Sequence, residues 1–531
     1  MTVLLARSGD APGVHGWDHW AAIGDAPSGL DPSRRLDGLA GRLEAAFDAV
    51  AAHWWALARE LATVASARWS FAATCSPSSS DLGAMMAWAL LAEDLAAGPE
   101  RVLLICDDPW LFRLLAARPG IEAMAPPPLA SITLGLKLRG LAARLKVTAK
   151  VARAALSCRS HRRNHPPGHP ALLVYGHPQS NAQGHDAYFG PLMSQFPGLL
   201  RALHTDCPAA RATELAGDGR SASLHAWGGL SFALTLVLRR WRPTAAQGAG
   251  RWGWLVRRAA AIEGSGGAAA MAAWQEHCQN RWLDRVRPQA IAWPWENHPW
   301  ERLLVRRARA LGLGTVGYQH TVVGRHRFSQ SPDAAADGER ALPDIIACNG
   351  PAYRDNLLAL GVPAQRLAIA GALRFPAGGG PAFDPRAPVL VALPSVRRTA
   401  LEILDALAAL PVDFRRVLIK HHPMYKVPVP AAPHLQETET PFPRQPALSA
   451  VISAESAVGL EAALAGIPFV RFLSSRMPAM DILPPGIEHH AADAAGLEAA
   501  LKGAAPPGNC PPVFSEVDME FWRSHLGGRD A

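Results

Sequence analysis

RVLLICDD, residues 101–108, is a short apolar run that ends abruptly in two carboxylates and gives way to a helical pattern. That is how a parallel strand delivers its chain to the loop at the edge of an α/β sheet. The same punctuation recurs at ALLVYGH (171–177), QAIAWPWEN (289–297), GTVGYQH (314–320), PDIIACNG (343–350), RLAIAGA (366–372), PVLVALPS (388–395), RRVLIKHHP (415–423), LSAVISAES (448–456) and IPFVRF (467–472). Stretches of helical spacing, about 10–14 residues each, separate most of these runs. The alternation predicts a doubly wound α/β architecture with more units than one sheet holds, so two Rossmann-like domains are expected, over 1–340 and 341–531. A basic helical insertion over 125–168 falls in the first. No short fixed period repeats, which disfavours a solenoid.

The composition agrees with a well-packed chain. Of 531 residues, 49% are hydrophobic and only 18% charged, which excludes wholesale disorder. Seven cysteines are scattered without a CxxC pair, so neither a disulfide framework nor a zinc ribbon is expected. MTVLLARSGDAPG at the start lacks a basic n-region and does not read as a signal peptide. The most apolar stretch, WGGLSFALTLVL (227–238), is too short for a spanning helix of about 20 residues. A cytoplasmic protein is expected, peripheral at most on the inner face of the cytoplasmic membrane.

The net charge of +8 is unevenly distributed. No acidic residue lies between Glu122 and Asp186, whereas Lys137, Arg139, Arg144, Lys146, Lys150, Arg153, Arg159, Arg162 and Arg163 do. Over 129–163 the cations interleave with Leu, Ile and Val at roughly helical spacing, the pattern of a helix lying on an anionic bilayer surface. A solvated basic helix packed on its own domain is the alternative. Nucleic acid is not an expected partner, because aromatic interleaving is absent.

In doubly wound sheets ligands bind beyond the carboxyl ends of strands, so polar residues just after each apolar run are the candidates. After RRVLI come Lys420, His421, His422 and Pro423, where an imidazole and an ammonium meet a phosphate and the proline fixes the turn. Some thirty residues on, Ser453 and Ser456 stand at a helix start, suited to an anion, with Glu461 in the helix body. QAIAWPWEN ends in Glu296 and Asn297, with Glu301 in the following helix. GTVGYQH ends in Gln319 and His320, with Arg325 and Arg327 beyond. Glu296 is the first candidate for general base or charge stabiliser, Asp186 the second, and His320 a further catalytic candidate or a ligand for phosphate or carboxylate. His177, Asn181 and His185 lie in a Gly- and Asn-containing loop that suits the rim of a cleft. Trp293, Trp295 and Trp300 are candidates for stacking on sugars.

The His-Pro dipeptide after one strand, the Ser-x-x-Ser of Ser453 and Ser456, and the EAALAGIP ending (461–468) together resemble GT-B glycosyltransferases. The resemblance is to bacterial surface-carbohydrate enzymes with cytidine-activated donors, the sialyl- and Kdo-transferase type, and to polyol-phosphate transferases. It spans roughly 290–475. It implies that His422 and Pro423 hold donor phosphate with Ser453 and Ser456 beside it. It also implies a donor of the CMP-Kdo or CMP-nonulosonic acid kind, and a cell-surface polysaccharide or lipid-linked glycan as acceptor. The Glu-Asn and Gln-His clusters are similar to those flanking the interdomain cleft in surface-polysaccharide biosynthesis proteins, and the resemblance implies an acceptor side of His177, Asn181, His185, Asn297, Gln319 and Arg325.

No P-loop, GxSxG elbow or HExxH helix is present, which argues against the common NTPases, α/β-hydrolases and zincins. A metal-independent transferase without a resident cofactor is therefore expected. The rival readings are a GT-B-fold sugar-nucleotide epimerase and a non-catalytic polysaccharide-assembly factor.

Overall fold

A computed structural model describes residues 2–25, 27–321, 324–374, 380–423, 425–478, 480–508 and 510–527. Each apolar run of the sequence is a strand, and all strand pairings are parallel. They form three main sheets rather than two.

The first sheet has the order β2-β3-β1-β4, from β1 (Val3–Ala6), β2 (His19–Ile23), β3 (Val102–Cys106) and β4 (Ile121–Ala123). The second has seven strands: β5 (Ala171–Val174), β6 (Leu200–Leu203), β7 (Ser221–Ser223), β8 (Ala290–Pro294), β9 (Gly314–Gln319), β10 (Ile345–Cys348) and β11 (Leu367–Ile369). Their order is β11-β10-β9-β8-β5-β6-β7. A two-stranded ribbon pairs β12 (Ala382–Phe383), ahead of the third sheet, with β16 (Ala447–Leu448), which leads directly into the strand Ala450–Ser453 of that sheet. That sheet contains β13 (Val389–Ala392), β14 (Val417–Lys420), β15 (Leu435–Glu437), β17 (Ala450–Ser453), β18 (Phe469–Phe472) and β19 (His490–Ala492), ordered β15-β14-β13-β17-β18-β19.

The second and third sheets share one plan. Each begins at its centre, winds outward to one side, returns to the centre and winds outward to the other. The order therefore reverses between β5 and β8 and again between β13 and β17. These are the two Rossmann-like sheets that the alternation predicts, and each has one topological switch point. The first sheet is additional. Its strands are short and widely separated in sequence, so the amino-terminal half holds two sheets where one was expected. The break expected at 340/341 falls inside the middle sheet, because β10 and β11 pair onto β9 and extend that sheet to Ile369.

Both Rossmann sheets are covered on two faces, as their strand periodicity shows. Leu390 and Val451 join the large core shared with the rest of the chain, whereas Val389, Val391 and Ile452 face the outer core of the C-terminal unit. The last helix, Met519–Leu526, returns to the middle unit, where Trp522 is fully buried with Phe189 and Tyr318.

The amino-terminal unit ties the other two together. Glu44, on the helix Leu39–Leu61, accepts from Arg325 at 2.8 Å and from Arg471 of β18 at 2.5 Å. Asp48 on the same helix binds His326, whose Nδ1 accepts from the backbone N–H of Asp481 at 2.7 Å. Gly324 permits this closeness: a Cβ there would lie 2.2 Å from the Asp481 carbonyl oxygen. The basic segment forms a helix over Ala130–Ser157 and a short 3-10 turn over Arg159–Asn164. Among the described residues no helix is long and apolar enough to cross a membrane.

Candidate functional site

β8 ends at Pro294, and the chain turns sharply to enter the helix Pro299–Ala310. The turn is held by Glu301, which is 1% exposed. Its carboxylate accepts from the backbone N–H groups of Glu296, Asn297 and His298, each at 3.0 Å, and from Trp293 Nε1 at 2.9 Å. Asn297 takes a left-handed conformation, φ +60°, unusual for a side-chain-bearing residue, and donates to the Ser329 carbonyl at 2.7 Å. This scaffold aims Glu296 outward, where Oε2 meets His298 Nε2 at 2.7 Å. Burial favours the neutral form of Glu296, but His298, with Arg327 and His320 nearby, overcomes it and drives the carboxyl well below its usual range. Burial likewise opposes charge on His298, and Glu296 outweighs it, so the imidazole titrates above its ordinary value.

β9 delivers Gln319 and His320 beside this pair. His320 is 5% exposed and its Nδ1 has no hydrogen-bond partner. Burial lowers its pKa to about 4 against the pull of Glu296, so it is neutral near pH 7. A neutral imidazole offers a phosphate or carboxylate an N–H donor but no charge. Gln319 is fully buried and donates to the Thr321 carbonyl at 2.5 Å. Arg325 does not reach the cleft, because it pairs with Glu44, Asp48 and Asp481. Arg327, two residues on, is the one close to Glu296, His298 and His320.

The loop after β5 is built around Asp186. Its side chain is fully buried, 3.8 Å from Arg201, accepting from Ser180 Oγ and from the N–H groups of Tyr188 and Phe189. A carboxylate so engaged is not available as general base or nucleophile, and Asp186 is corrected to a loop organiser. Asn181 shapes the same loop by accepting from Gln183 and His185, and His185 itself is exposed. His177 Nδ1 accepts from Gln179, and its ring packs edge-on to Tyr188, which also contacts His320. Arg374, just beyond the middle sheet, stands over the Tyr188 ring at 5.7 Å. Trp293 and Trp295 are fully buried and Trp300 is 6% exposed, so all three are packing residues rather than sugar platforms.

The edge of the C-terminal sheet is less charged. Lys420 turns to Glu439, contacting its carbonyl at 2.9 Å, and His421 faces Glu437 at 3.1 Å, so both lean toward the β15 side. That direction does not suit the expected donor contact of Lys420. His422 and Pro423 follow at the carboxyl end of β14, next to β13. Burial lowers the His422 pKa, and its ring lies 6.1 Å from that of Tyr425. Ser453 is fully buried at the end of β17 with its Oγ unpartnered, and Ser456 caps the helix Ala457–Leu464 by accepting from the Val458 N–H. Glu455 accepts from the Met480 N–H at 3.1 Å. A cavity of about 210 Å³ opens at the β13/β17 switch point, lined by Ser395, Glu455 and Met480 and closed by Ser78, Ser79 and Ser80 of the amino-terminal unit.

The two carboxyl edges meet through charge. Burial raises the pKa of Glu455 and of Glu461, and each is opposed by an arginine from outside the C-terminal sheet, Arg327 for Glu455 and Arg374 for Glu461. One group thus forms around Arg327 and Arg374, with Glu296 and His320 from one edge and Glu455 and Glu461 from the other. Asp186 and Arg325 are tied up in structural ion pairs beside it. Arg374, Glu455 and the 78–80 serines carry no motif in the sequence, whereas Arg327 and Tyr188 stand in the polar clusters after β9 and β5. Among the described residues no three His, Cys, Asp or Glu side chains converge as a metal site would.

No protein-family model and no curated protein sequence matches the chain. Solved structures similar to it include the glycosyltransferase SnogD from Streptomyces nogalater, at 15% identity and TM-score 0.36, covering 63% of this chain and 91% of that one. A UDP-N-acetylglucosamine 2-epimerase from Rickettsia bellii matches at 10% identity and TM-score 0.35, over 67% of this chain and 90% of its own. The lipopolysaccharide outer core galactosyltransferase WaaB matches at 12% identity and TM-score 0.32, over 63% and 88%.

Proposed function

We propose that this chain is a glycosyltransferase of GT-B type that takes a sugar from a nucleotide-activated donor to a cell-surface polysaccharide or lipid-linked glycan. The observation that carries the reading is the pair of parallel sheets with the same winding, whose switch-point edges are linked electrostatically through Arg327 and Arg374. Switch points are where such sheets bind nucleotides and their substrates.

In this reading the nucleotide occupies the β13/β17 edge, against Ser456, Glu461 and His422, and the acceptor lies over the β5/β8 edge near Tyr188 and His177. Arg327 and Arg374 stabilise leaving-group phosphate charge, the part of glycosyl transfer most responsive to a fixed cation. Glu296 remains ionised throughout the neutral range, so it stabilises positive charge near the anomeric carbon. As a base it is weak, and neutral His320 with its unpartnered Nδ1 is better matched to accept the acceptor proton.

The donor to test first is cytidine-linked, as the His-Pro and serine motifs imply. Thermal unfolding with CMP-, CDP-, UDP- and GDP-sugars tests the proposal, since ligand at a hundred times its Kd stabilises by about 2.7 kcal/mol. Stabilisation by one nucleotide class is expected. No stabilisation by any of them would overturn the donor assignment, and conversion of a sugar nucleotide without acceptor would replace the transferase by an epimerase.

A further inference from the structure

Exposed large apolar side chains among the described residues concentrate on two segments, 130–157 and 230–238. Along the basic helix Ala130–Ser157, Leu134, Leu138 and Leu145 recur at helical spacing and are 59%, 61% and 51% exposed. The helix Leu230–Thr235 and the turn after it pack against this helix and add Leu230, Leu234 and Leu238, at 47%, 72% and 79% exposed. Arg144 locks the two segments together: it is buried, and its Nε donates to the Val237 carbonyl at 2.8 Å. Gly140 lets the same helix approach Ser265, whose carbonyl oxygen would lie 2.5 Å from a Cβ at that position.

Charge around this surface is predominantly positive, with Asp206 the acid near Lys150. The second segment lies in its own acid-free stretch, 219–262, which carries Arg239, Arg240 and Arg242 just past the leucine row. On the first helix Lys137, Arg139, Lys146, Lys150 and Arg153 are exposed, and none makes an ion pair among the described residues. Two acid-free stretches that are far apart in sequence are thus folded side by side, each with a row of protruding leucines. A protein partner would call for a rim of mixed polarity, whereas an anionic bilayer calls for apolar side chains bordered mainly by cations.

The geometry points to a two-segment membrane footprint: the helix 130–157 and the segment 230–242 together insert their leucines at the headgroup boundary of an anionic bilayer, with the surrounding Lys and Arg on lipid phosphates. The segment 230–242 is an essential half of this footprint, and the attachment does not depend on which donor the cleft takes.

Flotation of the full chain with phosphatidylcholine vesicles, with and without phosphatidylglycerol, tests it. Binding to the anionic vesicles alone is expected. The double variant Leu234→Asp, Leu238→Asp is expected to bind about tenfold or more weakly, since it removes apolar area and adds like charge to the lipid. Both side chains are largely solvent-exposed, so the variant keeps the parent Tm, and Leu138→Asp in the other segment provides a second, independent loss. Full binding by the 234/238 variant would overturn the two-segment footprint. Absence of binding to anionic vesicles at low salt would overturn the membrane assignment, as would a dimer in light scattering that the same variant dissolves.

Discussion

At the carboxyl edge of the middle sheet, Glu296, His298, His320 and Arg327 are gathered on a turn whose backbone is held by a buried carboxylate. At the facing edge of the C-terminal sheet the loops after β13 and β17 offer mainly hydroxyls, a helix start and two half-buried glutamates. The two sheets wind in the same way, yet at one edge the buried Glu301 carboxylate holds the turn, whereas at the other a cavity of about 210 Å³ opens beside Ser395 and Glu455. The contrast suits a division of labour. In the proposed reading the rigid edge would keep charges at fixed positions for the reaction, and the open edge would offer its hydroxyls and helix start to the nucleotide.

The sharpest way to break this contrast is Glu296→Gln. It leaves the Glu301 scaffold in place but removes the charge, and transfer is expected to fall by about 10²–10⁴-fold with donor binding little changed. A transfer assay beside nucleotide titration separates the two effects. Glu301→Gln attacks the scaffold instead. Replacing a buried acceptor of four N–H groups is expected to cost about 2–3 kcal/mol, read as a lower denaturant midpoint. Ser456→Ala works on the open edge. Loss of an N-cap is expected to cost about 1 kcal/mol locally and to weaken nucleotide binding without disturbing the histidine titrations of the middle edge.

Those titrations give the smallest but most specific signal. In an NMR pH series His298 is expected to stay protonated above its ordinary 6.5, whereas His320 remains neutral down to about 4. The linkage runs in opposite directions. The contribution of His298 to stability is full below about pH 6.5 and fades as pH rises through its raised folded value. For His320 the folded state binds fewer protons than the unfolded chain, so its contribution is full above about pH 6.5 and is lost as pH falls toward 4. Glu296→Gln should return His298 toward its ordinary value, because the partner that raises it has lost its charge.

Strands with an apolar run and a polar stop were legible in the sequence, and so were the clusters placed at their ends, Glu296 and His320 among them. The extra sheet was not, because β1 and β2 lie far from β3 in sequence and look like isolated apolar fragments. β6 and β7 escaped for a different reason. LRAL and SAS lack an apolar pattern, and Arg201 in β6 is fully buried only because Asp186, Asp218 and Ser221 surround it. With Arg201 unseen, Asp186 read as a free acid in a cleft loop. Arg325 and Arg327 are indistinguishable by type and spacing. Only the amino-terminal helix, which brings Glu44 and Asp48 to Arg325, decides that Arg327 is the cleft residue.

Amide hydrogen exchange of the full chain, with and without the stabilising nucleotide-sugar, tests the paired-edge cleft most directly. Protection is predicted in the loops after β13 and β17, around 393–397 and 454–458, and at 296–298 once an acceptor analogue is added. Protection confined to the first sheet, or none at either switch point despite binding, would contradict it.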